Sequence, residues 1–227
     1  MHIFIIFCNF ARFFEDKIMK QLIIIGAGGM GRVMYDMAQE SIGFGTEYEI
    51  KGFIDDNVHA LDAFNNYPPI IGTISEHIPQ ANYVYICSIG GTSRKACMEA
   101  IINKGGTFLT LIHNTARIGS NVHIGQGTMI GAFTTIAADS FVDDYNFIQS
   151  YTIIGHDVRI GKWNRIDSHV MLIGGIKIGN HNMIHTSAVI NHEVTIGDDN
   201  HIGACSFVTR PVENGWTVFG NPARRLA

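Results

Sequence analysis

The sequence predicts two joined architectures: a small α/β front half built on a parallel sheet, and behind it a left-handed parallel β-helix. Three observations carry this. An isoleucine, leucine or valine recurs at every sixth position from Ile112 to Val208 without a slip. A short apolar run, Gln21–Ile25, leads into the glycine turn Gly26-Ala27-Gly28-Gly29-Met30-Gly31. Apolar runs and helical stretches alternate between residues 20 and 111.

The period decides the second half. Six residues fit neither a helix face nor one long strand, but they are the repeat of a parallel β-helix. The series is Ile112, Ile118, Ile124, Ile130, Ile136, Val142, Ile148, Ile154, Ile160, Ile166, Leu172, Ile178, Ile184, Ile190, Ile196, Ile202 and Val208. Each hexapeptide is a short strand and a corner. Three of them close a triangular coil, and coils stack through parallel backbone hydrogen bonds about 4.8 Å apart. The repeated aliphatic faces inward and meets its equivalent eighteen residues on. Two residues before it the side chain is usually compact, as at Ala116, Thr128, Ser140, Thr152 and Val158. Glycine often follows it, as at Gly119, Gly155 and Gly179, and is expected to let the chain turn close to the corner. No coil buries its inner face alone, so stability comes from stacking, here of about five coils.

In the front half, strands are expected at 21–25, 50–54, 83–87 and 108–111, and helices at 32–40 and about 93–103, which makes a doubly wound, Rossmann-like unit. A strand, a glycine turn and a helix make an anion site, because glycines let the backbone approach a diphosphate and the helix N-terminus offers unpaired N–H groups. Asp55 and Asp56 lie beyond the carboxyl end of the second strand, where ligands of such sheets gather. Two plainer readings stay open: a tight turn that holds no ligand, and two acids that cap a strand in water. A nicotinamide dehydrogenase presents the same turn, but residues 20–111 leave no room for a second catalytic domain. The expected organisation is an extension or disordered tail over 1–18, a Rossmann-like domain over 19–111 and a β-helix domain over 112–227.

Composition narrows the class. A net charge of −4 without a basic run argues against nucleic-acid binding. Cys8, Cys87, Cys97 and Cys205 form no CxxC pair and read as free thiols of a reducing cytoplasm. The opening MHIFIIFCNF is too short to span a bilayer and lacks the basic start and cleavage site of a secretory signal. Met19 opens MKQLIIIGAGG, a natural start for the first strand, so residues 1–18 read as an upstream extension or a disordered tail, with a membrane-surface anchor as the alternative.

Four segments act together: GAGGMGR (26–32), GFIDD (52–56), IIGHDVRIG (153–161) and VFGNPARRL (218–226). With them the chain resembles the hexapeptide-repeat sugar acyltransferase family, which includes UDP-4-amino-sugar N-acetyltransferases of bacillosamine biosynthesis and sialic acid O-acetyltransferases. The resemblance implies a cytoplasmic homotrimer of polysaccharide biosynthesis. Acetyl-CoA, the co-substrate, would lie in the groove between neighbouring prisms; no metal is implied, and the acceptor is a nucleotide-linked sugar. It implies His156 as general base, with Asp157 orienting it. It assigns acceptor contacts to Gly28, Gly29, Met30, Asp55, Asp56 and Gly90, and acyl-donor contacts to Arg165, Gly174, Thr186 and Ala204. Three departures stand out. Arg165 replaces the family's second histidine, Gln149-Ser150 replaces its Asn-Thr, and His185 and His192 are additions near the donor path.

The chemistry of the residues agrees with these roles. An amine or hydroxyl that attacks a thioester must lose a proton, and an imidazole titrates near neutrality. The thioester oxygen gains charge and needs a fixed donor. Gly174 lies one coil beyond His156, and its N–H suits that task while the missing side chain leaves room for the donor. Direct attack needs no nucleophilic cysteine, so Cys205 reads as packing. Two other classes remain. A metal-binding prism of the γ-carbonic-anhydrase type would use His156 and His192, but its third ligand falls on Gly197. A non-catalytic prism is kept open by Arg165.

Overall fold

The computed structural model describes residues 18–91 and 93–226. The expected extension over 1–18 therefore lies, but for Ile18, outside the described residues. The front sheet has the order β2-β1-β3-β4 and is parallel throughout, with β1 at Lys20–Ile25, β2 at Tyr48–Ile54, β3 at Tyr83–Cys87 and β4 at Thr107–Phe108. Leu22 to Ile25 are fully buried, as the unbroken apolar run requires of a central strand covered on both faces. The helices are α1 (Gly29–Gln39) and α2 (Ser93–Ile102).

Two boundaries differ from expectation. Helix α1 opens at Gly29, inside the glycine turn, not at Arg32. The reason is close packing: a Cβ at Gly31 would run into the Gly26 carbonyl, so only glycine lets the first helical turn sit against the loop. The run expected as one strand over 108–111 is split. Thr107–Phe108 closes the front sheet, and Leu111–Ile112 is the first strand of the prism.

From Leu111 the chain makes two-residue strands every six residues up to Phe207–Val208. They stack into three parallel faces. The first face contains Leu111–Ile112, Phe147–Ile148, Arg165–Ile166 and His201–Ile202; the second contains Ile153–Ile154 and Met171–Leu172; the third contains Arg159–Ile160 and Lys177–Ile178. Pairing is in register at eighteen residues, as in Ile148 with Ile166 and Ile166 with Ile184. The inward aliphatics from Ile130 to Val208 form one buried column, while Ile112, Ile118 and Ile124 at its starting end are less covered. The prism then closes with Thr217–Gly220 and the antiparallel Ala223–Arg225.

The glycines do something other than expected. From Ile118 to Ile202 the corner turns through a left-handed residue three positions after each aliphatic, and that residue is glycine only at Gly127 and Gly175. Asn121, Phe133, Asp139, Tyr145, Asp157, Trp163 and their non-glycine equivalents to Cys205 hold φ between 55° and 63°. The glycine directly after the aliphatic serves coil stacking. A Cβ at Gly131 would lie 2.5 Å from the Ser150 nitrogen, and one at Gly155 would lie 2.8 Å from the Gly174 nitrogen.

The compact position two residues before each aliphatic holds a second column that the sequence reading did not isolate. On the corner between the third and first faces it runs Thr128, Asn146, Asn164, Asn182, Asn200, all fully buried. Each asparagine oxygen accepts from the backbone N–H of the next: Asn164 N–H to Asn146 Oδ1 at 2.9 Å, Asn182 N–H to Asn164 Oδ1 at 2.8 Å, Asn200 N–H to Asn182 Oδ1 at 2.9 Å. The Nδ2 groups of Asn146 and Asn164 reach corner carbonyls, as from Asn164 to Gly161 at 3.1 Å and Gly179 at 2.9 Å. Buried corners thus leave few polar groups unmet, which an apolar residue could not achieve.

The front half is packed onto the first face and its neighbouring corner. Met34, Met37 and Ala38 of α1 cluster with the outward-facing Leu111, Met129 and Phe147. Met98 and Ile101 of α2 cluster with Phe108, Tyr145 and Trp163, and Arg94 Nη1 donates to the Tyr145 carbonyl at 2.8 Å. His113 and Glu40 bond across the join at 2.8 Å.

Asn164→Ala is expected to lower the unfolding free energy by about 3 kcal/mol, since it leaves buried backbone groups of two coils without partners. Urea denaturation of the two proteins measures this; equal midpoints at equal slope would show that the asparagine column carries no stability.

Candidate active site

At the front, the glycines sort by what surrounds them. Gly26 (φ 94°) and Gly31 are packed against backbone or the Ser88 hydroxyl, whose Oγ donates to the Ile25 and Gly26 carbonyls at 2.9 and 3.0 Å. Among the described residues Gly28 has nothing within 4 Å of where a Cβ would stand, and Gly29 only the tip of Arg32. The open pair lies at the N-terminus of α1, where the first N–H groups lack helical partners and the dipole favours an anion. Met30, beside them, is about a third exposed.

Asp55 and Asp56 are not idle in water. Asp55 Oδ2 accepts from the N–H of Ala27 at 2.7 Å and Oδ1 from that of Asn57 at 2.8 Å; Asp56 Oδ1 accepts from Ile74 at 2.9 Å. Asp55 therefore ties the end of β2 to the glycine turn and fixes the loop that presents Gly28 and Gly29. A carboxylate so engaged still has lone pairs for a ligand hydroxyl.

His156 stands at the corner between the second and third faces. The left-handed turn at Asp157 (φ 57°) brings that carboxylate to the preceding ring, with His156 Nδ1 and Asp157 Oδ2 2.6 Å apart. Nδ1–H donating to Asp157 leaves Nε2 as the bare acceptor. Nε2 points along the stack toward Gly174, where a Cβ would lie 2.6 Å from it. Both partners are well exposed, at 63% and 65%. His192, two coils on, comes to 6.4 Å between ring centroids, nearer than the ~10 Å that two coil spacings imply. The vacant Gly174 position between them lets the rings lean together. The Gly174 N–H has no hydrogen-bond partner among the described residues.

Thr186 and Ala204 lie on the corner between the first and second faces, both exposed. One chain therefore carries Gly174 and His156 on one edge of the second face and Thr186 and Ala204 on the other. Arg165 belongs to neither edge. It stands on the first face, with Nε 2.6 Å from Asp167 Oδ1 and Nη1 beside Gly90, where a Cβ would lie 3.0 Å from it. The grouping of Arg165 with the acyl-donor residues thus meets a geometry that brings it to the Gly90 turn of the front half.

Sequence reasoning missed Asp167. It is buried and accepts from Gln149 Nε2 at 2.8 Å and Arg165 Nε at 2.6 Å, with His185 Nδ1 at 3.2 Å. The eighteen-residue spacing of Gln149, Asp167 and His185 was the available signal. A cavity of about 290 Å³ opens beside this network, between α1 and the prism, lined among others by Met30, Met34, Gly131, Gln149, Ser150 and Ser168. Burial pushes the Cys87 thiol up to about 11, the reverse of an activated nucleophile, and Cys205 is exposed at a corner. Among the described residues no group of three or more His, Cys, Asp or Glu is placed to hold a metal ion, and no helix is long and apolar enough to cross a membrane.

The comparisons with known proteins divide the chain as its architecture does. The PglD N-terminal domain family matches residues 21–101, and the bacterial transferase hexapeptide (six repeats) matches residues 175–210. The acetyltransferase domain of PglB from Neisseria gonorrhoeae FA1090, solved in complex with acetyl coenzyme A, is 28% identical, with a TM-score of 0.82 over 92% of this chain and 100% of that one. In both halves the chain is similar to the hexapeptide-repeat sugar acyltransferases. Among curated proteins, UDP-N-acetylbacillosamine N-acetyltransferase of Bacillus subtilis (strain 168) is 27% identical over 119 residues, 50% of this chain and 52% of that protein. The chain spans about half or less of the length of the curated relatives it matches, 24% of one and 52% of the other. PerB from Caulobacter crescentus, solved with CoA and GDP-perosamine, is 24% identical with a TM-score of 0.80 over 91% of this chain and 97% of that one, a likeness of fold.

Asp55→Ala is expected to cost about 1–3 kcal/mol, because the buried Ala27 N–H loses its acceptor. Thermal and urea unfolding of the variant checks this; an unchanged stability would mean that the glycine loop is held without Asp55.

Proposed function

We propose that this chain transfers an acyl group, acetyl from acetyl-CoA, to the amino or hydroxyl group of a nucleotide-linked amino sugar. The observation that carries the reading is the His156–Asp157 pair with its free Nε2 directed at the open Gly174 corner. A likeness over 92% of the chain to a domain solved with acetyl coenzyme A supports it. The acceptor's nucleotide rests on the front half, on Gly28, Gly29, Met30, Asp55, Asp56 and Gly90, and its sugar reaches the seam of the prism.

The step is direct. The acceptor nitrogen or oxygen attacks the thioester carbon while Nε2 of His156 takes its proton. Asp157 holds the ring in that tautomer and stabilises the imidazolium that forms. The Gly174 N–H faces the oxygen as charge builds on it. The carbon–sulfur bond then breaks, and His156 returns the proton to the leaving thiolate. Every bond made and broken is accounted for without a covalent enzyme intermediate.

The division of residues between two edges favours a homotrimer. His156 and Gly174 of one copy face Thr186 and Ala204 of the next, and acetyl-CoA lies in that seam. A symmetric ring of three makes three equivalent seams. The reading places the enzyme in the cytoplasm, in polysaccharide biosynthesis. The domain limits that go with it are 19–111 for the acceptor and 112–227 for transfer.

His156→Ala is expected to fold and lose at least ~10²-fold in kcat. A rate near wild type, measured by thiol release from acetyl-CoA with amino-sugar nucleotides, would remove His156 from the mechanism. The shared seam has its own test. His156→Ala and Ala204→Trp chains, each inactive alone, are expected to regain about a quarter of the activity when refolded together at equal amounts, since random mixing leaves that share of seams intact. No recovery in verified mixed trimers would mean that one copy supplies both edges.

A further inference from the structure

A second cavity, of about 230 Å³, lies between the start of α2 and the corner that joins the third and first faces. Its walls carry Arg94, Lys95, Trp163, Arg165 and His181, and Asp199 is the carboxylate among them. Three permanent cations line the recess with one acid, while Glu99 lies 3.8 Å from Lys95 Nζ and Asp167 2.6 Å from Arg165 Nε behind them; the recess is too small for a whole nucleotide and large enough for its phosphates.

Arg94 is what makes this recess unusual. It is 6% exposed, and its Nη1 donates to the Tyr145 carbonyl at 2.8 Å. Among the described residues its Nε and Nη2 have no hydrogen-bond partner and no carboxylate is paired with it. Burial depresses its pKa, and the neighbouring Arg165 depresses it further. A guanidinium so placed is costly unless an anion completes its donors. Arg165 approaches from the prism side. Asp167 takes its Nε at 2.6 Å, and Nη1 lies beside Gly90. Lys95 Nζ stands 5.8 Å from the Trp163 ring and 3.5 Å from His181 Nε2. The ten-residue α2 begins here too, and its N-terminal N–H groups add positive potential.

We propose that this cavity binds the phosphate oxygens of a nucleotide, with Arg94, Lys95 and Arg165 as their ligands. Donors converge from a helix end, two guanidinium groups and an ammonium, an arrangement suited to the several oxygens of a phosphoryl group. The acceptor's diphosphate and the phosphates of coenzyme A share this chemistry. The site claim itself does not depend on acyl transfer.

The test is calorimetric titration of inorganic pyrophosphate into the full chain, with no acyl transfer measured. Lys95→Ala and Arg165→Gln, checked for unchanged melting, are each expected to weaken binding by about tenfold or more. Added salt is expected to weaken binding to the unaltered protein. Competition separates the sources. Displacement of pyrophosphate by UDP supports the site as one for the acceptor's diphosphate, and displacement by coenzyme A supports it as one for the donor. The proposal is overturned if pyrophosphate does not bind, if both variants bind it as well as the unaltered chain, or if neither nucleotide displaces it.

Discussion

The eighteen-residue stacking register is the constraint on which the rest depends. Every polar and apolar column in the prism exists because residue i meets residue i+18, and a slip of one residue would take the aliphatics out of the core and the asparagines out of their corner. The aliphatic column excludes water and the asparagine column satisfies the corners. Together they hold the outer surface rigid enough that side chains on successive coils keep fixed distances. The candidate site uses that rigidity. His156 bonds to its own neighbour Asp157, while its ring extends over the position one coil on, and only the absence of a side chain at Gly174 allows this.

Much of this was legible in the sequence, for a physical reason. A period of six repeated without interruption has few structural solutions, so the prism and the inward aliphatics follow from Ile112 to Val208 alone. The Gly26–Gly31 turn was readable too, because glycine is required where backbone approaches backbone. The glycine after each aliphatic was misread because the left-handed corner is filled instead by residues such as Tyr145, Asp157 and Trp163. In a repeated, tightly supported turn the strain of a positive φ is borne by stacking, so composition does not reveal it. Asn146, Asn164, Asn182 and Asn200 carried a clear signal at a spacing of eighteen. A search every six residues for compact side chains passes over them.

The candidate site was less legible, because its residues converge only through the fold. Asp55 read as a ligand acid, and in the structure its carboxylate holds the glycine loop. Arg165 sits where the resemblance implies a donor contact, yet the packing of the front half on the first face brings it to Gly90. Asp167 carried a signal only at the spacing of eighteen that it shares with Gln149 and His185, and its third partner, Arg165, comes from the strand just before it. His156 and Gly174 lie on one edge of the second face and Thr186 and Ala204 on the other, a separation that no linear reading reveals.

The most direct measurement is a crystal structure of the chain grown with coenzyme A. The account predicts a symmetric trimer with the thiol within hydrogen-bond reach of His156 Nε2 of one copy and the pantetheine arm against Thr186 and Ala204 of the next. Coenzyme A bound away from His156, or held by one copy alone, would contradict it.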